Sequence, residues 1–196
     1  MSKQYTDEEI RQQVKKFYDN IAQGKTTTKV KSIDLYKSLG YDTKLLQQLP
    51  EEISSGLSCG NPLDNLVLKD TDTLLDLGCG MGLDVFMARI KYPNSNTIYG
   101  MDRLKSMIEK AEKVRDKKGF KKIEFVQGEL IKMPFEDNSI DKIISNCVIN
   151  LEPNKLQVYR EIHRILKPNG MFIISDITLK KPLTKEIMSL DNIYGS

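Results

Sequence analysis

The sequence of 196 residues is poor in the residues that most often carry catalysis and cross-linking: it has no tryptophan, one histidine and three cysteines. The single histidine, His163, lies beside Arg164 in a helical pattern, where a scaffold role is more common than catalysis. Three cysteines, an odd number placed far apart, argue against a disulfide framework. Thiols that stay free are typical of the reducing cytosol, so we expect a cytoplasmic protein.

The sequence also lacks long apolar runs and a strong excess of either charge. No apolar run approaches the roughly 20 residues that span a bilayer, and the polar, acidic N-terminus is unlike a secretion signal. Thirty basic against 27 acidic residues leave a net charge of +3, too small to indicate a nucleic-acid surface. With 39% apolar and 29% charged residues, the composition is that of a globular protein with no predicted membrane or nucleic-acid partner.

What the chain does contain, from residue 73 onward, is an alternation of short apolar strands and amphipathic helices. Strands alternating with helices form βαβ units around a parallel sheet. We therefore predict an α/β, Rossmann-like fold with helices on both faces of a parallel sheet. Pro153 is expected in the first turn of the last helix, which should end before the turn-like run 167–170. The predicted strands are 73–77, 97–102, 123–127, 142–146 and 171–177, and the predicted helices are 83–91, 104–118 and 153–166.

The first 70 residues have a different pattern and are predicted to be an N-terminal helical and loop extension of a core at 71–196. Thr6 to Glu9 form a capping-box sequence, and apolar residues at helical spacing then predict an amphipathic helix over 7–22. Residues 54–62 are rich in glycine, serine and asparagine, as loops are. We expect this extension to contribute to the substrate site.

The most specific motif is the glycine run Gly78, Gly80 and Gly82, between the first strand of the core and a helix. Glycines there let backbone N–H groups and a helix N-terminus approach a ligand closely. Asp102 ends the next strand, where a carboxylate can accept hydrogen bonds from both ribose hydroxyls of an adenosine ligand. A dinucleotide site would require a small residue at position 83, which is leucine, while acidic Asp76 suits a ligand with an ammonium group. The pattern favours S-adenosylmethionine, and the alternative is a tight structural turn without a ligand.

These motifs resemble those of the class I S-adenosylmethionine-dependent methyltransferases. The resemblance rests on LLDLGCGMG (74–82), IYGMD (98–102), FVQGEL (125–130) and LKPNGMFIISDI (166–177). It implies that the glycine loop holds the methionine end of the cofactor, that Asp102 holds the ribose, and that Met107 and Leu130 pack near the adenine. The expected cofactor-binding residues are Asp76, Gly78, Cys79, Gly80, Gly82, Asp102, Arg103, Met107, Glu129, Leu130, Asn146 and Val148.

Further segments are similar to the arsenite methyltransferases: LPEEISSGLSCGNP (49–62), GLD (82–84), SNCVINLEPNKLQVYREIHRILKPNG (145–170) and the N-terminal helix. This resemblance implies methyl transfer to trivalent arsenic, as in arsenic detoxification, with the arsenic held by the thiolates of Cys59 and Cys147. Trivalent arsenic is thiophilic, and thiolates are the soft ligands that proteins possess. Cys79 is expected to be structural or to contact the cofactor through its backbone. Glutathione is expected as a source of a third sulfur, a thioredoxin-type protein is a further candidate reductant, and no metal site is predicted.

Members of that family carry a further arsenic-binding cysteine after the fifth strand, which the segment 182–196 lacks. We therefore expect a core that is truncated after the fifth strand and has an exposed strand edge. Two other functions stay open: a methyltransferase for another small molecule, such as a quinone precursor, or a module that binds As(III) or cofactor without turnover. Asn146 and Asn150 are expected either to orient the cofactor or loop or to cap a turn. Tyr36 and Tyr41 are expected either to pack on a sulfonium or to lie in the core.

Overall fold

The computed structural model describes residues 5–25, 32–54, 56–182 and 184. Within these ranges the chain forms six α-helices, five strands and two short 3₁₀ turns. The helices are α1 (Asp7–Ala22), α2 (Ser32–Ser38), α3 (Thr43–Leu46), α4 (Leu83–Lys91), α5 (Lys105–Lys118) and α6 (Lys155–Ile165). The strands are β1 (Leu74–Leu77), β2 (Ile98–Asp102), β3 (Ile123–Gln127), β4 (Ile140–Asn146) and β5 (Leu166–Ser175), and the 3₁₀ turns are Glu51–Ile53 and Ile149–Leu151.

The five strands form one parallel sheet in the order β3-β2-β1-β4-β5. β1 is central, and its Asp76 pairs with Gly100 of β2 and with Ile144 of β4. The chain therefore moves outward from β1 to β3 and then crosses back to β4 and β5. Such a reversal opens a crevice at the carboxyl ends of the strands, where ligands bind in open α/β sheets. The predicted fold class is confirmed.

Helices cover both faces of the sheet because the central strands are apolar on both sides. On one face, Leu74 of β1 belongs to a core that includes Phe86 of α4 and Ala111 of α5. On the other face, Leu75 belongs to a second core that includes Val158 of α6. Adjacent residues of one strand thus anchor opposite layers, which holds the ends of β1, β2 and β4 in fixed positions.

The N-terminal helix begins as predicted and is fastened to the core. The Glu9 N–H donates to Thr6 Oγ1 at 3.2 Å, and the Thr6 N–H donates to Glu9 Oε2 at 2.8 Å, which completes the capping box. Farther along α1, Ser106 at the start of α5 donates its hydroxyl to Asp19 Oδ1 at 2.7 Å. This contact places α1 next to the carboxyl end of β2.

Two predicted boundaries near the last helix are wrong. Pro153 lies before the N-cap, which is Asn154, because the asparagine side chain can accept a backbone N–H of the first turn and proline cannot. The run 167–170 does not separate helix from strand but lies within β5. It includes Asn169 at φ 66°, and the pairing with β4 shifts register near this run. Asparagine and glycine tolerate such an irregularity, so the strand continues through it.

β5 lies at one edge of the sheet formed by the described residues. Residues 183 and 185–196 lie outside the described ranges, and with them most of the segment on which the expected truncation rests. That expectation and the domain boundary at residues 70 and 71 stay predictions. In the part of the chain that is described, no helix has the length and apolar character needed to cross a membrane.

Candidate functional site

A cavity opens at the carboxyl ends of β1, β2 and β4, and α1 forms part of its wall. Arg11 of α1 donates from Nη2 to Glu152 Oε1 at 2.6 Å, and both residues line the cavity. This ion pair fastens α1 to the segment that follows β4. The predicted site residues in the cavity wall are Asp76, Gly78, Cys79, Gly80, Asp102, Arg103, Met107, Glu129, Leu130, Asn146, Cys147 and Val148.

The glycine loop runs along the cavity with its backbone held by β2. Gly78 donates its N–H to the Met101 carbonyl at 2.8 Å, and Gly80 donates its N–H to Asp102 Oδ2 at 2.9 Å. Gly78 has φ +69°, and a Cβ there would lie 2.5 Å from Cγ2 of Val148. Only glycine meets both conditions, so the loop and the segment after β4 can touch at this point.

Gly82 and Cys79 have packing roles within the same loop. Gly82 has φ +86°, and a Cβ there would lie 2.8 Å from Cζ of Phe125, so this glycine lets the start of α4 approach β3. It is not part of the cavity wall described above. Cys79 is buried, and burial together with the charge of Asp102 raises the pKa of its thiol. Its Sγ lies 3.6 Å from the Gly80 carbonyl, so the thiol points along the loop.

Three carboxylates gather at the inner end of the cavity: Asp76 on β1, Asp84 on α4 and Asp102 on β2. Burial, and then the charges of Asp84 and Asp102, raise the pKa of Asp76 well above its usual range. Burial also raises the pKa of Asp102, although the backbone N–H groups of Leu104 and Gly80 donate to it and oppose the shift. A cation bound among these groups would offset their mutual repulsion.

Asp84 is the centre of a hydrogen-bond network that joins four segments. Tyr41 donates its hydroxyl to Asp84 Oδ1 at 2.7 Å. The amide of Asn146 lies 2.9 Å from the Tyr41 hydroxyl, 3.1 Å from Asp84 Oδ2 and 3.0 Å from the Gly60 carbonyl. Asn146 thereby positions the loop around Gly60, which is one of the two roles predicted for it.

Met107 and Leu130, the residues expected near an adenine, also line the cavity. Arg103 lies between them and α1: it donates from Nη1 to the Arg11 carbonyl at 3.1 Å. Its Nε lies 3.6 Å from Oε1 of Glu129. Apolar side chains with charged groups at their margin suit a flat heteroaromatic ring.

Two cysteines from distant parts of the chain meet beside the cavity. The Sγ atoms of Cys59 and Cys147 and a carboxylate oxygen of Asp176 all lie within 4.8 Å of one another. Cys147 follows β4 with φ +58° and donates its N–H to the Ser175 carbonyl at 2.8 Å. A Cβ on Gly60 would lie 2.6 Å from Cβ of Ser175, so glycine lets the loop that carries Cys59 reach the end of β5.

Both thiols are partly buried, and burial favours their protonated, uncharged form. Burial raises the pKa of Cys59, and the neighbouring Cys147 raises it further. Burial also raises the pKa of Cys147, but hydrogen bonds from Cys59 and from the Ile177 N–H oppose this shift. The Cys59 N–H donates to Asn146 Oδ1 at 3.3 Å, so the same asparagine holds the loop and its thiol. The two thiols can bind an electrophile that forms bonds to both sulfurs, and each thiol loses its proton as its bond forms.

Tyr18 of α1 lines the cavity. Burial, and then negative charge on Cys147, Cys59 and Asp102, raise the pKa of Tyr18 to about 12. A phenol that stays protonated in the cavity wall can donate a hydrogen bond to a bound ligand.

The remaining candidates separate into core and surface residues. Tyr36 and Tyr41 are buried and pack edge to face with centroids 5.4 Å apart, and Tyr36 also lines the cavity. His163 is exposed on α6, away from the residues that line the cavity. The backbone N–H of Asn150 donates to Asp176 Oδ2 at 3.0 Å.

Sequence reasoning missed Asp84, Asp176 and Tyr18 as site residues. Asp84 had a signal, because it lies two residues after the glycine run, in the first turn of a helix that faces a parallel sheet edge. Asp176 directly follows β5, and the carboxyl ends of parallel strands share one edge. Tyr18 had none, since the position of α1 over the cavity depends on contacts far apart in the chain.

Comparison with known families places the chain among methyltransferases. A family described as "Methyltransferase domain" matches residues 68–195. An arsenite methyltransferase of Halobacterium salinarum is 35% identical over 158 residues, which cover 80% of this chain and 40% of that protein. The human arsenite methyltransferase is 34% identical over 131 residues, which cover 62% of this chain and 35% of that protein. The chain thus spans about half or less of these curated relatives.

A solved structure has a similar fold and a related sequence. It is an arsenic(III) S-adenosylmethionine methyltransferase from Chlamydomonas reinhardtii, which superimposes with a TM-score of 0.64 at 32% identity. The match covers 74% of this chain and 51% of that chain. A sterol 24-C-methyltransferase of Pneumocystis carinii is 35% identical over 106 residues, but these are only 54% of this chain and 28% of that protein.

Proposed function

Since the chain belongs to the methyltransferase domain family, we propose that it transfers a methyl group from S-adenosylmethionine to trivalent arsenic held by Cys59 and Cys147. The observation that carries the proposal is the convergence of these two thiols within 4.8 Å, beside a cavity with three carboxylates. The similarity to arsenite methyltransferases over 80% of the chain supports it.

The cavity suits S-adenosylmethionine in shape and charge. When bound, this cofactor supplies an electrophilic methyl group on a positively charged sulfonium. Asp102 would accept the ribose hydroxyls, while Asp76 and Asp84 would balance the positive charges of the ligand. The backbone at Gly78 and Gly80 would allow close approach, and Met107 and Leu130 would pack on the adenine.

Loading of arsenic on the thiols needs no catalytic base. When As(OH)₃ condenses with two thiols, two As–S bonds form, and the thiol protons leave with two hydroxides as water. The raised pKa values of Cys59 and Cys147 are compatible with this exchange, because each sulfur loses its proton as it binds. The product keeps one As–OH bond and the arsenic lone pair, which takes the methyl group without transferring a proton.

The two thiols would act mainly by positioning. Holding arsenic at the cavity edge turns a bimolecular encounter into an intramolecular one, for which effective molarities of about 10⁵ M are possible. Methyl transfer raises arsenic to the pentavalent state, so a thiol reductant of the glutathione or thioredoxin type would be needed to regenerate trivalent arsenic. A role in arsenic detoxification is proposed from the similarity to arsenite methyltransferases.

Native mass spectrometry with As(III) tests the proposal directly. The unmodified chain should retain one arsenic, and Cys59→Ser and Cys147→Ser should each lose it. Cys79→Ala is the matched control, because its thiol lies within the glycine loop and outside the pair. Adding S-adenosylmethionine should then give methylated arsenic with the unmodified chain and not with the two serine variants.

Other results identify the alternatives. Arsenic retention equal in all variants, with cofactor still bound, would contradict the arsenic proposal and favour another small-molecule acceptor. Arsenic retained by the thiols without any methylated product would favour a binding module.

A further inference from the structure

Asp176 adds a hard ligand to the thiol pair. Its carboxylate oxygen and the two sulfurs lie within 4.8 Å of one another, and all three side chains are partly exposed. The residues come from three segments: the loop after the 3₁₀ turn Glu51–Ile53, the end of β4 and the end of β5. We propose that Cys59, Cys147 and Asp176 form a binding site for a thiophilic divalent cation such as zinc or cadmium.

The ligand atoms are nearly at the spacing that such an ion requires. With Zn–S near 2.3 Å and Zn–O near 2.1 Å, the ligand atoms of a tetrahedral site lie about 3.6–3.8 Å apart. The observed limit of 4.8 Å differs from this by about 1 Å, which side-chain rotation can supply. Three protein ligands leave the fourth position of the ion open.

The surroundings already orient two of the three ligands, Cys59 and Asp176. The Cys59 Sγ lies 3.8 Å from Asn146 Oδ1 and 3.7 Å from the Ser175 carbonyl. Asp176 Oδ2 accepts the Asn150 N–H at 3.0 Å, and its Oδ1 accepts the Ile177 N–H at 2.8 Å. Backbone N–H groups that donate to a metal ligand, as these two donate to Asp176, fix its direction and contribute to affinity.

The ligand set fits a divalent d¹⁰ ion. Two thiolates are soft ligands that select zinc and cadmium over magnesium or calcium, and one carboxylate is accepted by zinc. On binding, each cysteine releases its proton to solvent and no electron is transferred. Two thiolates, one carboxylate and a divalent cation together carry a net charge of −1. A neutral ligand such as water can therefore complete the fourth position.

Cation binding would block arsenic loading, because the same two sulfurs would be occupied. This consequence rests on the proposed function, whereas cation binding itself rests only on the three side chains. The two are therefore testable apart. The carboxylate separates them further, since As(OH)₃ needs the sulfurs and the divalent ion uses all three groups.

The experiment is titration of the reduced chain with Zn²⁺ and with Cd²⁺, without cofactor or arsenic, followed by native mass spectrometry and cadmium–thiolate ultraviolet absorption. One ion per chain and the charge-transfer band are expected. Cys59→Ser and Cys147→Ser should weaken binding by at least about 100-fold. Asp176→Asn, which keeps the oxygen that accepts the Asn150 N–H, should weaken zinc binding by about tenfold or more.

The control is Asp64→Asn, an exposed aspartate, which should bind both cations as the unmodified chain does. Zinc or cadmium binding that survives loss of Cys59 or Cys147, or an Asp176→Asn variant with unchanged zinc affinity, would overturn the site. A chain that retains As(III) but neither cation would overturn this inference and leave the proposed function standing. A chain that binds both cations through these residues but not As(III) would support this inference and contradict the proposed function.

Discussion

The two ends of the site are built in different ways. At the cofactor end, the glycine loop and Asp102 are held by backbone hydrogen bonds between neighbouring strands, such as Gly78 to the Met101 carbonyl. At the thiol end, Cys59 and Cys147 come from distant segments. The side chain of Asn146 holds the loop that carries Cys59, and Cys147 donates its N–H to the Ser175 carbonyl. The first end follows from local chain geometry, whereas the second exists only when a loop docks on the sheet.

The largest effect on stability and binding is expected from a substitution at the point where the cofactor end and the thiol end of the site touch. Gly78→Ala combines a left-handed backbone with a Cβ only 2.5 Å from Val148, next to Cys147. It should lower the free energy of unfolding by about 2–5 kcal/mol and weaken both cofactor and arsenic binding. Urea unfolding with an unchanged m-value measures the stability change.

The matched control is Gly119→Ala, because Gly119 has φ +70° and nothing within 4 Å of the added Cβ. It isolates the backbone contribution and should cost about 1 kcal/mol. Equal losses in the two variants would contradict the close contact between the glycine loop and the segment after β4.

A second substitution should separate the two ends. Asp102→Asn removes the charged acceptor expected for the ribose, and a hydrogen bond to a charged group contributes about 1.5–3 kcal/mol. Calorimetry should show S-adenosylmethionine binding about 10–100-fold weaker, while native mass spectrometry shows arsenic retained as in the unmodified chain. The exposed Asp70→Asn serves as control and should change neither. If Asp102→Asn released arsenic as well, the two ends would not be independent.

A smaller expected effect is a pH dependence of cofactor affinity, which concerns only the cofactor end of the site. Burial and neighbouring carboxylates raise the pKa of Asp76, so part of the acidic cluster holds protons at pH values where an exposed aspartate is ionised. A bound cation favours the ionised form and expels protons. S-adenosylmethionine affinity should therefore rise with pH through the raised pKa, by at most about tenfold per pH unit for each proton released.

S-adenosylhomocysteine is the matched ligand, because it lacks the sulfonium charge. Its affinity should rise less steeply over the same range in calorimetric titrations. Asp84→Asn, which removes one of the charges facing Asp76, should flatten the profile for S-adenosylmethionine. The same slope for both ligands would show that the acidic cluster does not respond to the sulfonium.

How well the sequence predicted the site also differs between the cofactor end and the thiol end. The spacing of Gly78, Gly80 and Asp102 predicted a ligand-binding edge, and all three line the cavity. Periodicity also predicted the four longer helices and four of the five strands to within two residues, whereas β5 begins five residues before its predicted start. Asp176 was missed because it meets the two cysteines only when the ends of β4 and β5 are neighbours. Gly82 was predicted with the other glycines, yet its Cβ position faces Phe125, a contact that spacing does not reveal.

By itself, the sequence determined the alternation of strands and helices, the parallel sheet and the glycine loop followed by an acidic strand end. These features depend on hydrophobic periodicity and backbone conformation, which act over a few neighbouring residues. Only the tertiary structure decided that Asp176 joins Cys59 and Cys147, that Tyr18 lines the cavity and that Asp84 joins Tyr41 to Asn146. Such contacts depend on how the packed layers bring distant segments together, and no local pattern encodes that distance.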